Sequence, residues 1–389
     1  MIAIRTAPGA WQTQGRAAAA VRAFGPFLLL AAAGVELALL AAFMPGTIDR
    51  FLHGPVADFH NLYQPARDRE LPGLYSPFLV VALQPLAWMP EMAAYRAMFV
   101  INSLCLVGVA LIAAGAVRSW EARTVVALAP IALPQAHWAL RLGHITPVIV
   151  LIALLALVSL RTRPGRAAAL FALLSLKPQY LIAPVAYLIT TRAWRSLAIT
   201  VGLSAVLGVV GLAVIGPGSI GELTSRYLDW GPNSTDNLLP IQQSWMVSWP
   251  GVQISAGLEA HALLTLDLVL LSLGIAVCTW LRAAPWAHAA TVALMMIPVT
   301  PYAQFYDGAL VLVAIALLLQ TEFSSLTKGA LCGLLYAAAV ATQSSVVFPV
   351  KDVLGPAHSH GFFWLAPAMV AATCFIAVVT GRSEPKGGA

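Results

Sequence analysis

Between Phe24 and Met44 the chain carries a single charged side chain, Glu36. A helix needs about twenty apolar residues to cross the ~30 Å hydrocarbon core of a bilayer, so this run is read as a membrane span. It is longer than the apolar part of a secretory signal, begins late and contains a carboxylate, which argues that it stays uncleaved. Similar runs recur to the C-terminus. In all, 60% of the residues are hydrophobic and 10% charged, against about 25% charged in soluble domains. A soluble chain could not cover that much apolar surface with polar groups. The sequence therefore specifies a polytopic membrane protein and excludes a cytosolic enzyme, a nucleic-acid binder and a disordered scaffold. The net charge of +6 need not imply an acidic partner, because surplus Lys and Arg mark the cytoplasmic loops of membrane proteins.

Charge and hydropathy together predict an all-α helical membrane bundle of about ten spans with both termini inside. After the first span the crossings are expected at 97–117, 124–135, 145–160, 196–215, 259–281, 286–299, 308–319, 329–347 and 361–380. Residues 77–89 are apolar but short, contain Pro85 and reach Trp88 near their end. They are expected to form a helix lying in the outer interface. Residues 167–190 hold Lys177-Pro178 at their centre and have basic residues on both sides, Arg166 before and Arg192 and Arg195 after. Two half-helices meeting at the proline and returning to the same side, a re-entrant hairpin, satisfy that charge pattern. The organisation is then residues 1–23 as a cytoplasmic N-terminal segment, 24–380 as one membrane-embedded domain and 381–389 as a cytoplasmic tail. Cys105, Cys278, Cys332 and Cys374 each sit in an apolar run without a Cys-x-x-Cys pair, so neither a disulfide framework nor a zinc site is signalled.

The polar residues are distributed unevenly. Inner loops are short and basic, whereas the longer outer loops hold most of the Asp, His, Asn, Gln, Tyr and Trp. Long polar loops on one face usually carry function. Five places stand out. Asp58, in Asp58-Phe59-His60-Asn61-Leu62-Tyr63, reads either as a general base at the interface or as a solvated carboxylate. Arg141, in Arg141-Leu142-Gly143-His144, reads as a fork for a lipid phosphate or as a snorkelling interface arginine. Lys177 in an apolar segment costs about 2.5–3.5 kcal/mol on insertion scales. It is expected to meet a phosphate or to pair with Glu36, Asp267 or a backbone carbonyl. Gln242-Gln243-Ser244-Trp245 combines amides with an indole, which suits a sugar ring and equally an aromatic belt. Tyr306-Asp307, at the mouth of an apolar helix, could bind a sugar hydroxyl or orient a base, or simply cap the helix.

No phosphate-binding Gly-rich motif, nucleophile elbow or metal-ligand constellation is present. Any driving force must arrive in an activated substrate or an ion gradient.

Asp58-Phe59-x-x-x-Tyr63 after the first span, followed by Leu74-Tyr75 and Pro77-Phe78, resembles the first outer loop of the polyprenyl-phosphate-mannose-dependent mannosyltransferases of glycosyltransferase family 87. Gly143-His144, Lys177-Pro178 and Gln243-Ser244 follow in the family's order, and the likeness covers roughly residues 25–320. It implies a GT-C-like bundle in the cell (inner) membrane with its site on the extracytoplasmic face. By this resemblance Asp58 is the general base and the donor is a sugar on polyprenyl phosphate, mannose by default. The acceptor is a glycolipid or glycan, and the reaction inverts the anomeric centre. Arg141 and Lys177 become the donor-phosphate residues. His60, Tyr63, His144, Gln243, Ser244, Trp245, Tyr306 and Asp307 become contacts to sugar or acceptor. No cofactor is implied, and the part played by a metal stays open. Membrane lipids are expected partners and nucleic acid is not. Two departures, Gln242 before Gln243 and Tyr306-Asp307 where some members carry histidine, leave the sugar and acceptor open. The rival readings are a lipid or sugar transporter or flippase, and an oligosaccharide ligase working from a diphosphate carrier.

Overall fold

The structure, a computed structural model, describes residues 10–54, 57–71, 75–160, 162–228, 285–300, 303–347 and 365–381. Its regular elements are helices. The chain opens with α1 (Ala10–His53), α2 (Ala57–Asp68), α3 (Pro77–Ala87) and α4 (Glu91–Gly115). Next come α5 (Trp120–Ala132), α6 (Pro134–Leu142) and α7 (Thr146–Ser159). They are followed by α8 (Pro164–Leu173), α9 (Ile182–Thr190), α10 (Trp194–Ile215) and α11 (Ser219–Leu228). The last described helices are α12 (Pro285–Met295), α13 (Val311–Leu319), α14 (Ser325–Val347) and α15 (Leu365–Gly381).

Local chemistry sets the helix ends. Ser76 caps α3 by accepting from Phe78 N at 3.1 Å, and Pro77 occupies the first turn, where a missing N–H costs nothing. Gly143, at φ 64° and ψ 29°, stops α6 in the left-handed conformation. That conformation suits a glycine just past a helix end. Between α8 and α9 two 3-10 turns, Leu174–Leu176 and Pro178–Leu181, flank Lys177 at φ −133° and ψ 82°. A residue before proline is pushed out of the helical region, so the Lys177-Pro178 dipeptide itself breaks the helix.

Helix count is where the structure corrects the sequence reading. Among the described residues four helices are long and apolar enough to cross a membrane, within α1 (Gly25–His53), α4, α10 and α14 (Ser325–Thr342). A fifth appears if α5 and α6, bent by 41°, count as one span. The bundle is all-α and multi-pass, and the described residues hold four or five candidate spans where about ten were expected. The 145–160 run forms α7, whose 14 residues reach about 21 Å at 1.5 Å per residue. The 286–299 run gives the 11-residue α12, and 308–319 gives the 9-residue α13 behind a 3-10 turn. Both are too short to cross. Their apolar residues are there for another reason: Val311 to Leu318 of α13 are all buried in the protein. Hydropathy alone does not separate a helix in lipid from one in a protein core. Exposure does: Phe27 and Leu30 of α1 are 69% and 72% exposed, and Leu104 and Leu111 of α4 are exposed too, as lipid-facing side chains must be. The run at 259–281 lies outside the described residues.

The break expected at Lys177-Pro178 is present. Thr200 and Ser204 of α10 donate to Ala168 O and Ala172 O of α8, so α8 runs parallel to α10. α9 ends at Thr190, four residues before α10 begins at Trp194. Leu181, just before α9, and Val185 within it line one groove with Val201 and Ala205 of α10. The two arms thus run in opposite directions, with both outer ends near the start of α10.

α7 and α13 occupy the middle of the bundle. α7 packs on α4, α8 and α13, while the 3-10 turn Phe305–Leu310 packs on α6, α7 and α14. This brings the α6–α7 turn, the Lys177 break and the start of α13 together.

Candidate functional site

Lys177 and Asp307 meet at that junction. Lys177 Nζ lies 2.7 and 2.6 Å from the two carboxylate oxygens of Asp307, and both residues are buried. Three tyrosine rings surround the ammonium, with centroids at 5.8 Å (Tyr75), 5.3 Å (Tyr180) and 5.3 Å (Tyr306). Their electron-rich faces favour a cation held away from water. Asp307 also accepts from Gln304 N at 3.0 Å, completing a capping box at the 3-10 turn. The helix-capping role expected for Asp307 and the phosphate-site lysine are thus joined. Among the described residues Lys177 pairs with Asp307 and not with Glu36, and Asp267 lies outside them.

A hydrogen-bonded chain leads away from this pair. Thr146 Oγ1 donates to Asp307 Oδ1 at 2.7 Å. His144 Nδ1 lies 2.8 Å from the same hydroxyl and takes the Thr146 main-chain N–H at 3.3 Å. His144 Nε2 shares a hydrogen bond with the Tyr75 hydroxyl. Asn102 Nδ2 fixes the His144 carbonyl at 2.8 Å, and Tyr306 lies against the imidazole at 4.0 Å between centroids. Burial, reinforced by the Lys177 charge, pushes the His144 pKa well below the ordinary histidine range. His144 and Thr146 are buried, while Tyr75 is partly exposed.

A groove of about 410 Å³ lies between α3, α9 and α10, lined by Ser76, Pro178, Leu181, Val185, Val201 and Ala205 among others. Its wall is almost entirely apolar, and Val201 is exposed on the outer side of α10. Ser175 and Pro178, on either side of Lys177 in the chain, are part of its lining. The Ser175 hydroxyl is buried there without a hydrogen-bond partner among the described residues.

The other sequence-selected residues fall elsewhere. Arg141 turns to α1: Nη2 donates to Phe43 O at 2.6 Å and Nε to Thr47 Oγ1 at 3.2 Å, and the guanidinium lies over Trp138 at 5.2 Å. Gly46 allows this, because a Cβ there would collide with the Arg141 guanidinium. His60 is exposed and bridges to Glu91 at 3.0 Å. Tyr63 is buried and donates to Met89 O at 2.7 Å. Both fasten α2 to the segment leading into α4. Asp58 stands in the first turn of α2, beside Phe59 in sequence. Phe59 packs on Gly143, where a Cβ would come within 2.8 Å of its ring, so α2 begins next to the turn that bears His144. Gln243, Ser244 and Trp245 lie outside the described residues.

Of the candidates, then, the structure joins Lys177, His144, Tyr306 and Asp307. Sequence reasoning gave no role to Tyr75, Thr146, Ser175 or Tyr180. A lone Thr before proline reads as an ordinary helix start, and Ser175 sits in an apolar run with nothing local to single it out.

Glycosyltransferase family 87 matches residues 74–301, more than half of the chain. The matched segment holds Tyr75, Arg141, His144, Thr146, Ser175 and Lys177; Asp58 precedes it, and Tyr306 and Asp307 follow it. No curated protein and no solved structure matches the chain. A match of that extent, on a multi-pass helical membrane protein, shows that the chain belongs to glycosyltransferase family 87.

Proposed function

We propose that the protein moves a sugar, mannose by default, from a polyprenyl-phosphate donor to a glycolipid or glycan acceptor at the extracytoplasmic face of the cell membrane. The observation that carries this reading is the buried Lys177–Asp307 pair, whose lysine is flanked in the chain by Ser175 and Pro178 of an apolar groove beside the lipid-facing helix α10. A lipid tail suits the groove wall, and an anionic headgroup suits the lysine. Buried ionisable groups in a membrane protein most often mark such a functional path.

In this reading the isoprenoid chain slides in from the membrane past Val201 and Ala205. Its phosphate comes to rest near Lys177, which stabilises the charge that grows as the sugar–phosphate bond breaks. Asp58 takes the proton from the acceptor hydroxyl, whose oxygen attacks the anomeric carbon opposite the phosphate. The new glycosidic bond forms as the carbon–oxygen bond to phosphate breaks, so the configuration inverts. The packing of Phe59 on Gly143 supports Asp58 in this role by setting the start of α2 beside the cluster. General-base catalysis is worth about 10²–10⁴-fold.

The test is a transfer assay on purified protein in lipid discs with synthetic polyprenyl-monophosphate and polyprenyl-diphosphate hexoses. Transfer from the monophosphate, abolished by Asp58→Asn with donor binding retained, is expected. Full activity in Asp58→Asn would remove the base. Transfer only from the diphosphate would make the protein a ligase, and electrogenic uptake without transfer would make it a transporter.

A further inference from the structure

The resting partner of Lys177 raises a physical question. A phosphate entering the groove would find the nearest cation already neutralised by Asp307. A buried carboxylate that loses its counter-ion costs several kcal/mol, so Lys177 could leave Asp307 only if hydrogen bonds held the carboxylate. The cluster supplies that: the Thr146 hydroxyl at 2.7 Å and Gln304 N at 3.0 Å both donate to Asp307. Thr146 is in turn fixed by His144 and Tyr75. Two residues before Lys177, Ser175 is 94% buried and is part of the groove lining, and its hydroxyl has no hydrogen-bond partner among the described residues. It is a donor held in a dry wall with nothing to give to, which is costly unless a ligand completes it.

Resting on the lipid-phosphate reading of this site, we propose that Lys177 is a transferable cation. Asp307 is its resting counter-ion and stands in for the substrate phosphate. When an anionic lipid headgroup enters the groove beside Ser175, the Ser175 hydroxyl donates to it and the Lys177 ammonium turns from Asp307 to the phosphate. Asp307 stays an anion on Thr146 and Gln304. Ser175 is thus a phosphate-binding residue. Asp307 and Thr146 are positioning residues that act through Lys177, with His144 and Tyr75 orienting the Thr146 hydroxyl. No bond is made or broken in the exchange; one ion pair replaces another. The arrangement keeps a buried lysine charged and solvent-free in the empty site, and it selects ligands that bring their own negative charge.

The experiment measures binding of farnesyl phosphate, with farnesol as the neutral control, to the purified full-length protein in lipid discs. Ser175→Ala is expected to weaken farnesyl phosphate by about tenfold or more, as for a lost hydrogen bond to a charged group, and to leave farnesol unchanged. Thr146→Val should weaken the phosphate and Thr146→Ser should restore it, because the hydroxyl and not the methyl holds Asp307. Asp307→Asn should tighten the phosphate by about tenfold, because Lys177 then has no competing anion. A purely structural pair predicts the opposite sign, weaker binding in a loosened site. Farnesyl phosphate affinity unchanged in Ser175→Ala, or reduced in a folded Asp307→Asn protein, would overturn the exchange. If Asp307→Asn does not fold, the Thr146 and Ser175 variants decide. The failure of the transferase reading looks different: the binding pattern would hold while the wild type transfers no sugar from any lipid donor.

Discussion

Lys177 and Asp307 stand 130 residues apart in the chain and 2.6 Å apart in space, both buried. One sits at a proline break between two short helices and the other in the capping turn of the central helix, so their contact ties residues from the two halves of the chain together.

Removing either partner alone leaves a buried charge without compensation. Lys177→Met or Asp307→Leu is expected to destabilise the protein by about 3–5 kcal/mol, whereas the double variant recovers most of the loss because an apolar pair carries no desolvation cost. Thermal unfolding in detergent checks the stability. The double variant should be well folded and inactive, which separates the structural use of the pair from its chemical one.

Gly211 of α10 faces the start of α3 so closely that a Cβ would collide with the backbone of Pro77 and Phe78. Gly208, three residues earlier, has open space around it. Gly211→Leu should therefore push α3 off α10, disturb the groove and lower both yield and thermal stability, whereas Gly208→Leu should be tolerated. Equal behaviour of the two variants in detergent-extracted protein would contradict the α3–α10 packing.

His144 has a stability signature with a defined sign. Its pKa is held well below the ordinary value of 6.5 by burial, with the Lys177 charge adding to it. The unfolded chain therefore takes up this proton at a higher pH than the folded one. The contribution is intact above about 6.5 and is lost as pH falls below it. Wild-type unfolding temperature should drop as pH falls from about 7 to about 5, and His144→Gln should flatten the drop. An identical slope in the variant would mean that His144 is not held neutral.

Much of this was legible in the sequence, and the limits have physical causes. The cost of a lysine in an apolar run singled out Lys177, and the proline after it marked the break. The acidic residue at the mouth of a helix marked Asp307 as a cap. Nothing in the sequence could join them, because their contact depends on how α7 and α13 pack. Arg141 was picked for its charge, but the structure directs that charge to the main chain of α1. Spans were overcounted because α13 is as apolar as a membrane helix and is buried in protein instead.

Gly143 offers a further check on how α2 is set. It is the one left-handed residue of the α6–α7 turn, and it also makes room for Phe59. Gly143→Ala meets both constraints at once. It should lower turnover in the lipid-disc assay by about tenfold or more, since small misplacements of reacting groups are costly, and should change farnesyl phosphate binding little. Wild-type turnover in this variant would detach the start of α2 from the chemistry.

The most direct measurement is mass spectrometry of membrane glycolipids from cells with the protein, without it, and with Lys177→Met/Asp307→Leu in its place. The account predicts a glycolipid or lipid-linked glycan one hexose heavier in the first sample alone, with its lighter precursor accumulating in the other two. Identical glycolipid profiles in all three would contradict it.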